Sequence, residues 1–133
     1  MKCQTPARLT HLVEDLVNVM QRVAEVPGID AVHDLRVSVR RASEGLRIYR
    51  DQLPKARRLS KEIKAIRHLA AAVRDRDVTR QLLRRHHLPA TDPACIYLQG
   101  QRDLAASQLQ QFLVTQLRQD RPHRWIKWLK AQS

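Results

Sequence analysis

The chain has 133 residues, the size of about one domain, and 43% of them are apolar, close to the average of globular proteins. That apolar fraction argues against a wholly disordered chain. The 25 Lys and Arg residues outnumber the 13 Asp and Glu residues, and the formal net charge of +12 attracts polyanions such as nucleic acid, anionic membranes or phosphate polymers. Only three Gly and one Phe are present, which is poor material for β-sheet turns and cores, so we expect an all-α protein.

The cysteine pattern and the hydropathy of the chain bear on its compartment. Cys3 and Cys95 lie far apart in sequence and suggest no disulfide framework, which favours a reducing cytoplasm. The N-terminus lacks the apolar segment of a signal peptide. No run approaches the roughly 18 apolar residues that a spanning helix needs. The sequence therefore predicts a cytoplasmic protein with no membrane partner.

Proline, glycine and capping residues divide the chain into helices. The first helix is predicted to run from Thr5, a potential N-cap, to Val26, because Pro27 and Gly28 stop it. The second is predicted from Asp30, another potential N-cap, to Leu53. Its apolar positions alternate in steps of three and four residues, the spacing of seams in helical bundles. These positions are Val32, Leu35, Val39, Ala42, Leu46, Tyr49 and Leu53.

The third helix is predicted from Lys55 to Arg85 and the fourth from Ala94 to Gln119, capped at Thr91-Asp92. The seam of the third helix is Leu59, Ile63, Ile66, Ala70 and Val73, and the inward positions of the fourth are Tyr97, Leu98, Ala105, Leu109, Phe112, Leu113 and Leu117.

After the fourth helix, Pro122 is expected to interrupt the chain before a last helical turn or two. Trp125 and Trp128 in that segment are expected to close the core or face a partner rather than to form a ligand cage. Short connections make consecutive helices antiparallel. We therefore predict that residues 1–133 form one domain, an antiparallel four-helix bundle with a short extra C-terminal helix.

The positive charge of the second and third helices is concentrated in stripes beside their seams. On the second helix, four basic residues within an arc of roughly 60° each follow a seam residue: His33, Arg36, Arg40 and Arg47. On the third helix, the corresponding residues are Lys64, Arg67 and Arg74. If the two helices pack antiparallel, both stripes lie on one rim and form a continuous basic groove. Charges beside a seam commonly form exposed salt bridges, but the matching positions hold Ser43, Ser60 and Ala71, with no acid.

Two further groups of residues could in principle hold a metal ion. Asp75 and Asp77 are close in sequence, but residues two apart on a helix point in different directions, so pairing with arginine is the expected role. His86 and His87 are adjacent and do not share a face. We therefore expect no metal site, and the sequence indicates no cofactor.

Three segments stand out as motifs: VHDLRVSVRR at residues 32–41, VRDRDV at residues 73–78 and WIKWL at residues 125–129. Together they resemble the CHAD family, the conserved histidine α-helical domain. The resemblance implies a helical bundle that binds inorganic polyphosphate on a basic surface, and an association with polyphosphate granules. By position, the family motifs match His33, Arg36, Arg40, Arg41 and Arg74. Arg47, Lys64 and Arg67 come from the charge stripes instead.

The chain departs from the family pattern in two ways. Ala70 and Ala71 stand where members often have Leu-Gly, a mild change for helix packing. Family domains usually contain two four-helix repeats that face each other across a basic channel, whereas this chain holds one repeat, about half of such a domain. It is either a fragment or a half that pairs with a second copy, and we expect a homodimer that completes the channel.

The expected function is non-catalytic binding of polyphosphate, or a related polyanionic phosphate, in the groove between helices two and three. A nucleic-acid-binding helical bundle is the alternative, since the net charge fits it equally well. The basic stripes, however, contain no interleaved aromatic residues to stack bases, and no helix-turn-helix is apparent. An enzyme is not expected, because apart from Asp75 and Asp77 the predicted groove lacks the acids that metal binding or general base catalysis needs.

Overall fold

A computed structural model describes residues 7–132 of the chain, and within that range it contains helices and no strand. None of these helices is long and apolar enough to cross a membrane. The prediction of an all-α protein is therefore confirmed. The α-helices are α1 (Ala7–Glu25), α2 (Ile29–Tyr49), α3 (Ala56–Arg85), α4 (Pro93–Arg118) and α5 (Arg121–Ala131), with a short 3-10 helix at Arg50–Gln52.

The first four helices form a closed bundle. α1 packs against α2, α2 against α3, α3 against α4, and α4 returns to pack against α1. The connections between consecutive helices are short, so neighbours run antiparallel. α5 packs against α1 and α4. This arrangement confirms the antiparallel four-helix bundle with an extra C-terminal helix.

The seams of α2 and α3 form the centre of the core. Each seam is a stripe of apolar side chains at helical spacing, and placing two stripes face to face removes both from water. Burial of each large aliphatic side chain contributes about 1.5–3 kcal/mol. The buried residues are Val32, Leu35, Val39, Ala42 and Leu46 of α2 and Leu59, Ile63, Ile66, Ala70 and Val73 of α3, as predicted.

The ends of α2 differ from the prediction. The helix begins at Ile29 after Gly28, so Asp30 is not its N-cap but lies in the first turn, where a negative charge suits the helix dipole. α2 ends at Tyr49 and continues as the 3-10 turn, whereas the prediction extended it to Leu53. Leu53 is nevertheless buried, because this turn keeps it against the core. The predicted cap at Thr5 lies outside the described residues.

The start of α4 and the break before α5 follow from local chemistry. The Asp92 Oδ1 atom accepts a hydrogen bond of 2.9 Å from the Ala94 N–H, which confirms the predicted cap. The helical conformation is interrupted at Asp120, which has a left-handed backbone with φ of 58°, rather than at Pro122. Pro122 lies in the first turn of α5, where proline is well tolerated. α5 has 11 residues, so it is longer than the turn or two predicted.

The hairpin formed by α3 and α4 extends beyond the other two helices. α3 and α4 have 30 and 26 residues, whereas α1 and α2 have 19 and 21. The first turns of α4 consequently have no helix to pack against on that side, and Tyr97, predicted to face inward, is 66% exposed. Trp125 is buried and Trp128 packs partly buried against the core, as expected for residues that close it.

Candidate functional site

A surface cavity of about 470 Å³ lies between α2 and α3. Its walls carry His33, Arg36, Arg40 and Arg47 of α2 and Arg67 of α3. Five of the eight residues predicted to bind phosphate are therefore brought to one place. They meet because the seam residues beside them are buried, which turns both basic stripes toward the shared rim of the two helices.

The arginines of this groove are not engaged by the protein. Among the described residues, no hydrogen bond or ion pair joins Arg36, Arg40, Arg47 or Arg67 to another side chain. One acid lines the groove, Glu44, which the sequence reasoning overlooked. It does not come within ion-pair distance of the arginines. Charges beside a seam commonly form salt bridges, but within residues 7–132 the arginines of this groove do not. Their guanidinium donors are therefore open to a ligand.

His33 lies just after the first turn of α2, at one end of the groove. The N-cap residue of this helix is Gly28, which has no side chain to accept the hydrogen bonds of the first turn. The first-turn N–H groups of α2 therefore lack a side-chain cap and can attract an anion near His33, while Asp30 in the same turn offsets part of the helix dipole.

Three predicted residues do not line the groove. Arg41 lies on the other side of α2, in a shallow depression against α1, because one residue of helix turns it ~100° away from Arg40. Lys64 and Arg74 occupy the same face of α3 as Arg67, about one turn before it and two turns after it. They extend the basic stripe beyond the walls of the cavity, and their contact with a ligand stays a prediction.

Asp77 forms a buried ion pair that ties three parts of the bundle together. Its side chain is 0% exposed, and its Oδ1 atom lies 3.0 Å from Nε of Arg102 on α4 and 4.0 Å from Nη1 of Arg80. Arg102 also donates from Nη2 to the carbonyl oxygen of Pro27, between α1 and α2, at 2.6 Å. Pairing with arginine is therefore confirmed for Asp77, whereas the same prediction is wrong for Asp75, which forms no ion pair with another described residue.

The closest partner of Asp77 is Arg102 on another helix rather than Arg76, its neighbour in sequence. Arg76 instead donates to the carbonyl oxygen of Ala72 in its own helix. Asp75 is exposed while Asp77 is buried, so the two carboxylates do not share a site. The sequence carried a signal that could have found Arg102. Asp77 continues the seam of α3 after Val73. Arg102 fills an inward position of α4, between Leu98 and Ala105. Opposite charges therefore lie on the facing seams of two neighbouring helices.

Residues 7–133, nearly the whole chain, match the CHAD domain family. The chain belongs to this family, whose domain is known in polyphosphate-related proteins. No curated protein and no solved structure is similar enough to count as a match.

Proposed function

We propose that this CHAD domain binds inorganic polyphosphate, without catalysis, in the groove between α2 and α3. The observation that carries the proposal is the convergence of His33, Arg36, Arg40, Arg47 and Arg67 on one cavity in which the arginines have no carboxylate partner. Guanidinium groups bind phosphate oxygens in pairs, and these charge-assisted hydrogen bonds are among the strong ones. We further propose that the protein acts in the cytoplasm and associates with polyphosphate granules.

The length of the groove favours a polymer over a single phosphate. From His33 to Arg47 the helix rises ~21 Å, at about 1.5 Å per residue. A single phosphate reaches only one or two of these side chains. A linear chain of phosphates can contact all of them in succession, so the energy of each contact adds to the same binding event.

Competition with nucleic acid tests the choice of polyphosphate as the ligand. The groove walls contain no Phe, Tyr or Trp side chain, and His33 at one end is the only ring among them, so nucleic acid is held there mainly by its phosphates. We expect DNA and RNA to displace labelled polyphosphate poorly when total phosphate and salt concentration are matched. If either nucleic acid competes as well as long-chain polyphosphate, the protein is a general polyanion binder or a nucleic-acid-binding bundle, and the proposal fails.

We also propose that a second copy of the chain faces the groove and completes a channel. Val78 and Leu82, which are 47% and 51% exposed, lie within ~60° of Arg67 on the same face of α3. The basic stripe therefore ends in an apolar patch that a second copy could cover. Two chains of charge +12 repel each other, and a bound polyanion offsets that repulsion.

The dimer should therefore form in the presence of polyphosphate. We expect light scattering to give the mass of a monomer for the free protein and of a dimer when polyphosphate of a length short enough to occupy one channel is added. Replacing Val78 and Leu82 by Ser should abolish the dimer while the monomer stays folded, because both side chains are already exposed to solvent. A monomeric mass with polyphosphate bound would show that one copy is sufficient.

A further inference from the structure

A second cavity, of about 440 Å³, lies on a different side of the molecule, where the beginning of α3 meets the beginning of α5. None of its lining residues belongs to the α2–α3 groove. Glu62, on its wall, is turned ~140° around α3 from Arg67. Its volume falls in the range of roughly 300–1,000 Å³ that is usual for sites of small molecules.

The cavity concentrates positive charge where helix dipoles are also positive. Lys55 and Arg58 stand at the start of α3, and Arg121 and Arg124 at the start of α5. Acids usually occupy the first turn of a helix, but neither helix has one there. The N-cap of α3 is Lys55, and that of α5 is Asp120, whose side chain makes no capping hydrogen bond, so the dipole of α3 is the less compensated of the two. Cations in these places are repelled by the dipoles, and a bound anion would relieve that repulsion. Lys55 and Arg58 form no ion pair with another described residue.

The same cavity has an aromatic wall and a hydrogen-bond acceptor. Trp125 and Trp128 line it, and Nε1 of Trp125 donates to Oε2 of Glu62 at 2.5 Å, which fixes the indole ring. The other carboxylate oxygen, Oε1, has a single ion-pair contact, with Arg121 at 3.9 Å. It can therefore accept a hydrogen bond from a ligand. Aromatic side chains are the usual surfaces on which bases stack, and polyphosphate has no group that would use them.

We propose that this cavity binds a nucleoside triphosphate. Its phosphates lie against Lys55 and Arg58, its base lies along Trp128, whose ring is only partly buried whereas that of Trp125 belongs to the core, and an amino or ribose hydroxyl group donates to Glu62. Inorganic polyphosphate shares the phosphate chemistry but lacks the base and the sugar. This proposal does not depend on the one for the α2–α3 groove, so either proposal can be wrong while the other is right.

Intrinsic fluorescence reports on this cavity directly, because Trp125 and Trp128 are the two tryptophans of the chain. Titration with ATP should change the fluorescence saturably, and inorganic tripolyphosphate should bind this site at least about tenfold more weakly, since stacking and the contact with Glu62 are lost. Arg58→Ala should weaken the ATP response roughly 5- to 150-fold, the effect of losing one charged hydrogen bond. Arg58 is exposed, so the variant should fold, which circular dichroism verifies.

The matched control is the double variant Arg36→Ala/Arg40→Ala, which should leave the ATP response unchanged while it impairs binding of polyphosphate. Arg58→Ala should do the reverse. A fluorescence that does not respond to ATP overturns the proposal. An equal affinity for tripolyphosphate shows a simple anion site and overturns the assignment of a nucleotide. Loss of the ATP response in Arg36→Ala/Arg40→Ala places the ligand in the α2–α3 groove and also overturns it.

Discussion

Replacing Asp77 by Ala should lower the free energy of unfolding by about 3–5 kcal/mol, the cost of removing one partner from a buried ion pair. Asp77 is fully buried and the side chain of Arg102 is only 11% exposed. Without the carboxylate, Arg102 keeps its charge in a region where water cannot solvate it. The loss should be measured by urea denaturation, in which the midpoint falls while the slope stays the same.

Asp75→Ala is the matched control, because it removes an exposed carboxylate two residues away on the same helix. We expect it to change the free energy of unfolding by no more than about 0.5 kcal/mol. A double variant, Asp77→Leu/Arg102→Met, should recover most of the loss, since it leaves no unpaired charge in the core. If Asp77→Ala is no more destabilised than Asp75→Ala, the ion pair does not hold α3, α4 and the α1–α2 turn together.

Replacing Arg36 and Arg40 together by Ala should have the largest effect on binding. Each loss of a charged hydrogen bond weakens binding by about 1–3 kcal/mol. That is roughly 5- to 150-fold in Kd for each arginine. The two effects need not add, because in the proposed complex both arginines would contact the same ligand. Stability should change little, since both side chains are exposed and make no contact that folding requires.

Calorimetric titration of short-chain polyphosphate into the wild type and the double variant measures this loss. The unfolding midpoint of each protein, taken in parallel, separates a binding defect from a folding defect. If the double variant is less stable than the wild type but, when folded, binds polyphosphate with the same affinity, these arginines are structural. The ligand would then have to lie elsewhere.

Much of the fold follows from the sequence because each helix carries a regular apolar stripe and clear punctuation. Proline and glycine, or a capping aspartate such as Asp92, mark most helix boundaries to within a few residues. The groove could be anticipated for the same reason. A basic residue placed directly after a seam residue must lie on the rim, so the burial of Leu35 and Val39 determines where Arg36 and Arg40 point.

What could not be predicted depends on contacts between distant parts of the chain. Arg102 pairs with Asp77 across 25 positions; each charge can be seen on its own seam, but their pairing depends on how α3 and α4 are aligned, which no local pattern gives. Tyr97 has helical spacing to its apolar neighbours, yet it is exposed because α1 and α2 are too short to cover that end of α4. The cavity at the start of α5 was also missed, since it brings Arg58 beside Trp125, 67 residues further along the chain.

For Arg41, the geometry of the groove and the family motif lead to different predictions. The motif places Arg40 and Arg41 together, whereas the structure turns Arg40 to the α2–α3 groove and Arg41 to the α1 side of α2. The two substitutions remove the same charge from adjacent positions of one helix. They therefore differ only in the side of α2 from which the positive charge is removed.

The most direct test of the proposed binding of polyphosphate in the α2–α3 groove is accordingly the Kd of polyphosphate for Arg40→Ala and for Arg41→Ala, measured at the same salt concentration. We predict that Arg40→Ala weakens binding roughly 5- to 150-fold. Arg41→Ala should remain within about twofold of the wild type, the effect of a distant exposed charge. Equal losses in the two variants, or a larger loss for Arg41→Ala, would contradict binding in the groove between α2 and α3.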